Sequence, residues 1–416
     1  MKKYFDSRDT ILENGLRIIS IKKETRIASI NIGFKIGSIY EKENEKGICH
    51  FIEHMLFKGT VKRTNDELND ELEQIGGEYN AYTDYISTVY SITALCEEVE
   101  NSIEILSDMT RNSVFDEKEL DRERGVILAE IRGSKDDIED YSFERINQMA
   151  FKKSALKFDT VGEESTVKNF KQENLKEFYE KNYVPNNCSI VVVSSLDHEK
   201  IIELVEKYFA NWKRKKLENR EFIIEDNSPI KKVTIKKDIE QSTIMYLYTF
   251  YNLPKEMELI LKILNHRFGE SANSILFREL REKRGLAYDV YTNMDLTKGV
   301  KTLYIYTAVA KKDVDKTLKI IDRCIEDIKK EKIVFDNRAI DLMKKILKTS
   351  VAATIEDSEA LCSYILGQAL CDEDIFEFEK DISDLQNIDK KDLYDVARRV
   401  FIKPTVHVLV SEDEDL

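Results

Sequence analysis

His50 and His54 stand four residues apart in Gly-Ile-Cys-His-Phe-Ile-Glu-His-Met-Leu-Phe-Lys-Gly-Thr, residues 47–60, with Glu53 between them. The chain contains only five histidines, so a pair at this spacing needs a reason. On a helix, residues i and i+4 lie one turn apart on one face, and i+3 lies beside them. Two imidazoles presented together can bind a divalent metal, and an adjacent carboxylate can take a proton from water that the metal activates. The plain alternative is an amphipathic helix whose histidines are packed or solvated. A catalytic zinc takes three protein ligands and leaves one position for water, so the metal reading requires another donor. Glu123 and Glu130, in Glu-Arg-Gly-Val-Ile-Leu-Ala-Glu-Ile, are seven residues apart and share a helix face after two turns. That stretch is rich in Asp, Glu, Lys and Arg, and a solvated acidic face accounts for the same pattern. On the residues alone both readings stand.

The elements that would carry these residues read as α+β, with antiparallel sheet and helices following hairpins rather than a doubly wound parallel fold. Residues 9–37 read as strands, with an Asn14-Gly15 turn between β-rich runs and an alternating stretch from Ala28 to Ile36. The histidine helix follows. Thr64 caps a second helix, Asn65 to Ile75, which stops at Gly76-Gly77. Two strands come next, then helical patterns over 97–112 and from Asp116 to about Met149. After a charged stretch of weak periodicity the pattern restarts. Two strands lead to helices over 255–268 and 274–284, and two more strands follow. The division drawn is therefore 1–212 as a zinc-binding α+β domain, 213–230 as linker, and 231–416 as a second domain of similar fold. His266, alone in the second half, reads as an ordinary histidine.

Composition narrows the partners. At 416 residues the chain is too long for one ordinary core, and 42% apolar residues is enough for two. A formal charge of −14 argues against a nucleic-acid or anionic-membrane surface. No apolar run follows the first lysines and no stretch approaches membrane-spanning length, so a cytoplasmic location is expected. Six scattered cysteines without a CxxC pair read as reduced thiols. Cys49, about 100° around the helix from His50, reads as packing.

Taken together, the His50–His54 stretch, Gly-Gly-Glu-Tyr-Asn-Ala-Tyr-Thr (76–83) and Glu-Arg-Gly-Val-Ile-Leu-Ala-Glu-Ile resemble the pitrilysin–insulinase family of inverted-motif zinc peptidases. In length the chain is similar to the short bacterial processing-protease members, relatives of the mitochondrial processing peptidase β subunit. The resemblance implies one Zn2+ per chain on His50, His54 and Glu130, with Glu123 orienting the ligands and Glu53 as the base. It implies that Asn80 and Ala81 belong to a strand that holds substrate backbone. In the second half, Leu-Arg-Glu-Lys-Arg-Gly-Leu-Ala-Tyr-Asp-Val-Tyr (280–291) resembles the family's Arg/Tyr element, which falls on Arg281 and Tyr288. A guanidinium and a phenol suit a carbonyl oxygen that becomes negative in a tetrahedral intermediate. The expected activity is zinc-dependent endopeptidase action on short or unfolded peptides in an enclosed chamber. A homodimer is expected, with Arg281 and Tyr288 of one protomer serving the metal site of the other. The alternatives are a non-catalytic or heterodimeric partner subunit and a maturation protease for one small peptide. Phe268-Gly-Glu-Ser-Ala-Asn-Ser-Ile departs from the glycine-rich loop of processing-peptidase relatives, which argues against presequence-type specificity.

Overall fold

The Asn14-Gly15 turn joins β1 (Asp6–Ile11) to β2 (Arg17–Lys22) as an antiparallel pair running from Asp6↔Lys22 to Ile11↔Arg17. With β3 (Ile27–Phe34), β4 (Glu78–Thr83), β5 (Thr88–Leu95) and β6 (Cys188–Ser194) they form a six-stranded sheet. Its order is β1-β2-β6-β3-β5-β4. Only β2 and β6 run parallel, and every other neighbouring pair is antiparallel. Every residue of β6 is buried, as its run Ile-Val-Val-Val demands, whereas β4 lies at the sheet edge and is largely exposed. The computed structural model describes residues 4–218 and 220–412. Residues 1–3, 219 and 413–416, which the sequence reading assigns to the two domains and the linker, lie outside the described residues.

Against this sheet pack α1 (Ile48–Met55), α2 (Asn65–Gln74), α3 (Val99–Asn112) and α4 (Glu117–Asp136). Phe51, Ile52 and Met55 of α1 are buried in one core with Ile30, Ile32 and Ile190 of the sheet. Each such side chain contributes about 1.5–3 kcal/mol on leaving water. Thr64 caps α2 as expected, accepting the Glu67 N–H while Glu67 returns a bond to the Thr64 backbone. The helical pattern expected to run from Asp116 to Met149 is two helices. The chain breaks at Asp137, whose carboxylate accepts the N–H groups of Glu139 and Asp140 and starts α5 (Ile138–Ala150).

The second sheet consists of β7 (Lys231–Lys236), β8 (Ser242–Thr249), β9 (Ala287–Asp295), β10 (Thr302–Val309) and β11 (Thr405–Ser411), in the order β7-β11-β8-β10-β9. The order matches β2-β6-β3-β5-β4 strand for strand, down to the single parallel pair, β7 with β11. The repeat legible in the sequence is therefore a repeat of topology, with the β1 strand as an addition to the first copy. By this correspondence β9, which carries Tyr288, is the counterpart of β4, which carries Asn80.

Two compact units result, and both are discontinuous. One comprises the chain up to Arg132, Asp159–Glu221 and Val351–Ile375. The other comprises Gly133–Phe158, Phe222–Ser350 and the chain from Phe376 on. The segments expected from the sequence, 1–212 and 231–416, are contiguous, whereas these units are not. Instead, the helix Ser358–Leu370 packs on β3 and β6, and α5 packs on the equivalent strands β8 and β11. Gly33 permits the first of these contacts, since a Cβ there would meet Leu370 at 2.8 Å and Leu366 at 3.0 Å. Both exchanged helices span 13 residues and follow a helix of 20. Among the described residues no helix is long and apolar enough to cross a membrane.

Candidate metal centre

Gly47 opens α1 with φ +90°, and a Cβ there would lie 2.7 Å from the Val161 carbonyl oxygen, so the position demands glycine. The helix N-terminus is closed by a residue from the preceding loop. Glu41 is buried, and its carboxylate accepts the N–H groups of Gly47 (3.0 Å) and Cys49 (2.9 Å). Burial pushes this carboxyl up to about 7, partly opposed by those two N–H groups. Cys49 is buried in the core, as its helical phase requires.

From this helix His50 and His54 present their rings side by side, with centroids 4.6 Å apart. Glu130 arrives from α4. Its Oε2 lies 3.8 Å from His50 Nε2 and 3.7 Å from His54 Nε2. One ligand atom from each of the three falls within 4.8 Å of the others. These separations are too long for hydrogen bonds and suit donors around a common ion. A tetrahedron with ~2.1 Å metal–ligand distances has edges of about 3.4 Å. Two imidazole nitrogens and a carboxylate oxygen are also the chemistry zinc prefers. The residues present fit a zinc ion.

Around this cluster the partners are specific. Glu123, buried on α4, places Oε2 3.0 Å from His54 Nδ1 and Oε1 3.0 Å from Lys58 Nζ. This fixes the His54 ring so that Nε2 faces the cluster. Burial alone would raise the Glu123 carboxyl, but His54 and Lys58 outweigh it and hold it below the usual range. His50 is pushed down to about 3, first by burial and then by repulsion from His54, which keeps its ring neutral and free to donate a lone pair. Burial also works against protonation of His54, yet Glu123, Glu130 and Glu53 together raise it. Glu53 is buried and its carboxyl is raised by desolvation, an effect that a hydrogen bond from Thr83 opposes. That bond, Thr83 Oγ1 to Glu53 Oε2, is 2.6 Å.

The structure thus brings His50, Glu53, His54, Glu123 and Glu130 together in one unit. Asn80 and Ala81 lie in β4 of the same unit. The Asn80 side chain is exposed, and its Oδ1 accepts the Ala81 N–H at 2.9 Å. Arg281 and Tyr288 come together in the other unit. The Arg281 guanidinium stacks 4.7 Å over the Tyr288 ring and 5.0 Å over Phe277, while Nη1 donates to the Tyr288 carbonyl at 2.7 Å. Tyr288 is 76% exposed, so its hydroxyl is open to a ligand. The helix that carries Arg281 is wider than expected. After Ile275–Phe277 it passes into i→i+5 turns over Arg278–Glu282, with Lys283 N donating to Arg278 O at 3.0 Å. Sequence reasoning missed Glu41, Lys58 and Thr83. Lys58 was findable at i+4 from His54, and Thr83 closes the Asn-Ala-Tyr-Thr run, but Glu41 carries no local signal.

A family model described as Insulinase (Peptidase family M16) matches residues 17–164, and one described as Peptidase M16 inactive domain matches residues 169–347. The chain is 30% identical over 416 residues to an uncharacterized zinc protease of Rickettsia felis, covering 97% of each chain. It is 27% identical over 414 residues to the mitochondrial-processing peptidase subunit beta of Caenorhabditis elegans, covering 96% of this chain and 88% of that one. A crystal structure of a protease from Helicobacter pylori shares the fold, with a TM-score of 0.91 at 21% identity over 98% of this chain and 100% of that one. Fold and sequence together define a peptidase of two similar α+β units. The chain belongs to the insulinase family, peptidase family M16.

Proposed function

We propose that this chain is a zinc-dependent endopeptidase acting on short or unfolded peptides. His50, His54 and Glu130 would hold one zinc ion, and Glu53 would be the general base. The observation that carries the reading is the convergence of two imidazole nitrogens and one carboxylate oxygen beside a buried glutamate. The name zinc protease borne by the Rickettsia relative supports it. A bound zinc would supply a Lewis acid that activates water and polarises the scissile carbonyl. Glu53 takes the proton of the attacking water and returns it to the leaving amine nitrogen. Glu123 holds His54 in the tautomer that donates through Nε2. β4 lies at the sheet edge, and an extended peptide adding there, as in strand addition, would take the Ala81 N–H from the Asn80 side chain. Arg281 and Tyr288 are suited to a developing oxyanion, being adjacent and solvent-facing.

Because the chain contains both the metal cluster and the Arg281–Tyr288 pair, a homodimer would be self-sufficient. Mixing Glu53→Gln with Tyr288→Phe protomers is expected to restore activity by subunit exchange; no recovery would argue that the pair acts elsewhere. A non-catalytic subunit gains no support from a chain that keeps His50, His54 and Glu130 clustered beside Glu53. The direct test incubates the purified chain, with and without chelator, with a mixed peptide library and reads cleavage by mass spectrometry. Glu53→Gln is expected to keep its zinc and lose hydrolysis by at least ~10²-fold.

A further inference from the structure

A glutamate side chain by itself does not choose which of its oxygens meets a substrate. The torsion that turns its carboxylate plane is broad and two-fold, so a base needs an external partner to fix that plane. In this protein the partner comes from β4. Thr83, the last residue of that strand, donates its hydroxyl to Glu53 Oε2 at 2.6 Å and leaves Oε1 for proton transfer. Thr83 is itself held by a closed frame. It pairs with Thr88 across β5, and the turn between them is pinned by Asp84, whose carboxylate accepts the N–H groups of Ile86 (2.7 Å) and Ser87 (2.6 Å). The same turn is fastened to the loop before α1, with Ser38 N donating to Asp84 O and Ile39 N to Tyr85 O. That loop supplies Glu41, which closes the N-terminus of α1 and hence positions Glu53. The strand and the helix are therefore tied together at the point where Thr83 meets Glu53.

We propose that Thr83 is a positioning residue that fixes the carboxylate plane of Glu53, and that its place on the edge strand couples base orientation to the register of the bound peptide. The proposal rests on the peptidase reading above. A substrate that adds to β4 is aligned along the same strand that aims the base, so peptide and proton acceptor share one frame.

Thr83→Val removes the hydroxyl while keeping shape and β-branching. Steady-state kinetics on a peptide that the parent chain cleaves, together with zinc content per chain, tests the idea. Zinc content and KM are expected to stay at parental values while kcat falls by ~10- to 100-fold, and Thr83→Ser is expected to recover most of that loss. Thr83→Val at parental kcat would overturn the proposal. So would a loss of zinc or a rise in KM in step with kcat, or a Thr83→Ser variant as impaired as Thr83→Val. Glu53→Gln run in parallel separates the two levels. If it still turns over, Glu53 is not the base and the positioning role of Thr83 falls with it, while the peptidase activity itself stands; if it is inactive while Thr83→Val is not, only the positioning role is lost.

Discussion

His54 works through a chain of three side chains. Lys58 bonds Glu123, Glu123 bonds His54 Nδ1, and Nε2 is left to face His50 and Glu130. Outer partners of this kind tune affinity without touching the metal. Lys58→Met is expected to lower zinc affinity by ~10- to 100-fold, measured by competition with a chromophoric chelator. An unchanged affinity would make Lys58 a surface residue and nothing more. Tyr288 is at the opposite extreme, exposed and held through its backbone carbonyl and ring face. Tyr288→Phe is expected to cut kcat by about 10²-fold with KM little changed, as for the loss of one oxyanion donor. The histidine pair was legible because a spacing of four encodes one helix turn. Thr83 and Glu41 were not, because their partners lie 30 and 8 residues away and meet them only when a strand and a loop close on α1.

At the level of elements, α1 is held at its start by a buried carboxylate, a left-handed glycine and close backbone contact with Val161. Gly47→Ala brings a Cβ against a carbonyl in a conformation that L-residues avoid. It is expected to destabilise the protein by about 1–3 kcal/mol in urea unfolding, and to weaken zinc binding because the helix start must shift. Loss of stability without loss of zinc would show that the histidines are set by packing alone. The helices α4 and α5 show where local reading stops. Continuous helical periodicity spans both, and the break at Asp137 depends on that carboxylate capping the next helix rather than facing solvent.

Across the whole molecule, each half of the chain lends a helix to the sheet of the other half. A fragment ending at residue 212 lacks the helix Ser358–Leu370 and exposes the face of β3 and β6 that it covers. Such a fragment is expected to bind an apolar dye and to unfold without a cooperative transition. A cooperative melt would mean that the exchanged helix is dispensable. The other unit carries an acid-sensitive group of its own. His407 on β11 is fully buried beside Thr234, and burial, then Arg145 and Lys232, push its ring down to about 4 from an ordinary 6.5. A depressed histidine favours folding while neutral. Between those values the unfolded chain binds the extra proton, so stability present above pH 6.5 is lost as pH falls through 4. The full effect is about 3 kcal/mol. Urea midpoints against pH are expected to fall less steeply in His407→Leu than in the parent.

From residue types and spacing came the metal pair with its base, the two candidate carboxylates of α4, and the restart of the strand–helix pattern after residue 230. These are local or periodic properties, written in helix turns and strand alternation. Which carboxylate faces the histidines, which hydroxyl orients Glu53, and which helix covers which sheet depend on contacts between segments up to about 330 residues apart, such as Cys362 against the Ser29 carbonyl. No local pattern encodes such pairings. They are decided when two apolar sheet faces are covered, and in this protein each is covered by a helix from the other half of the chain.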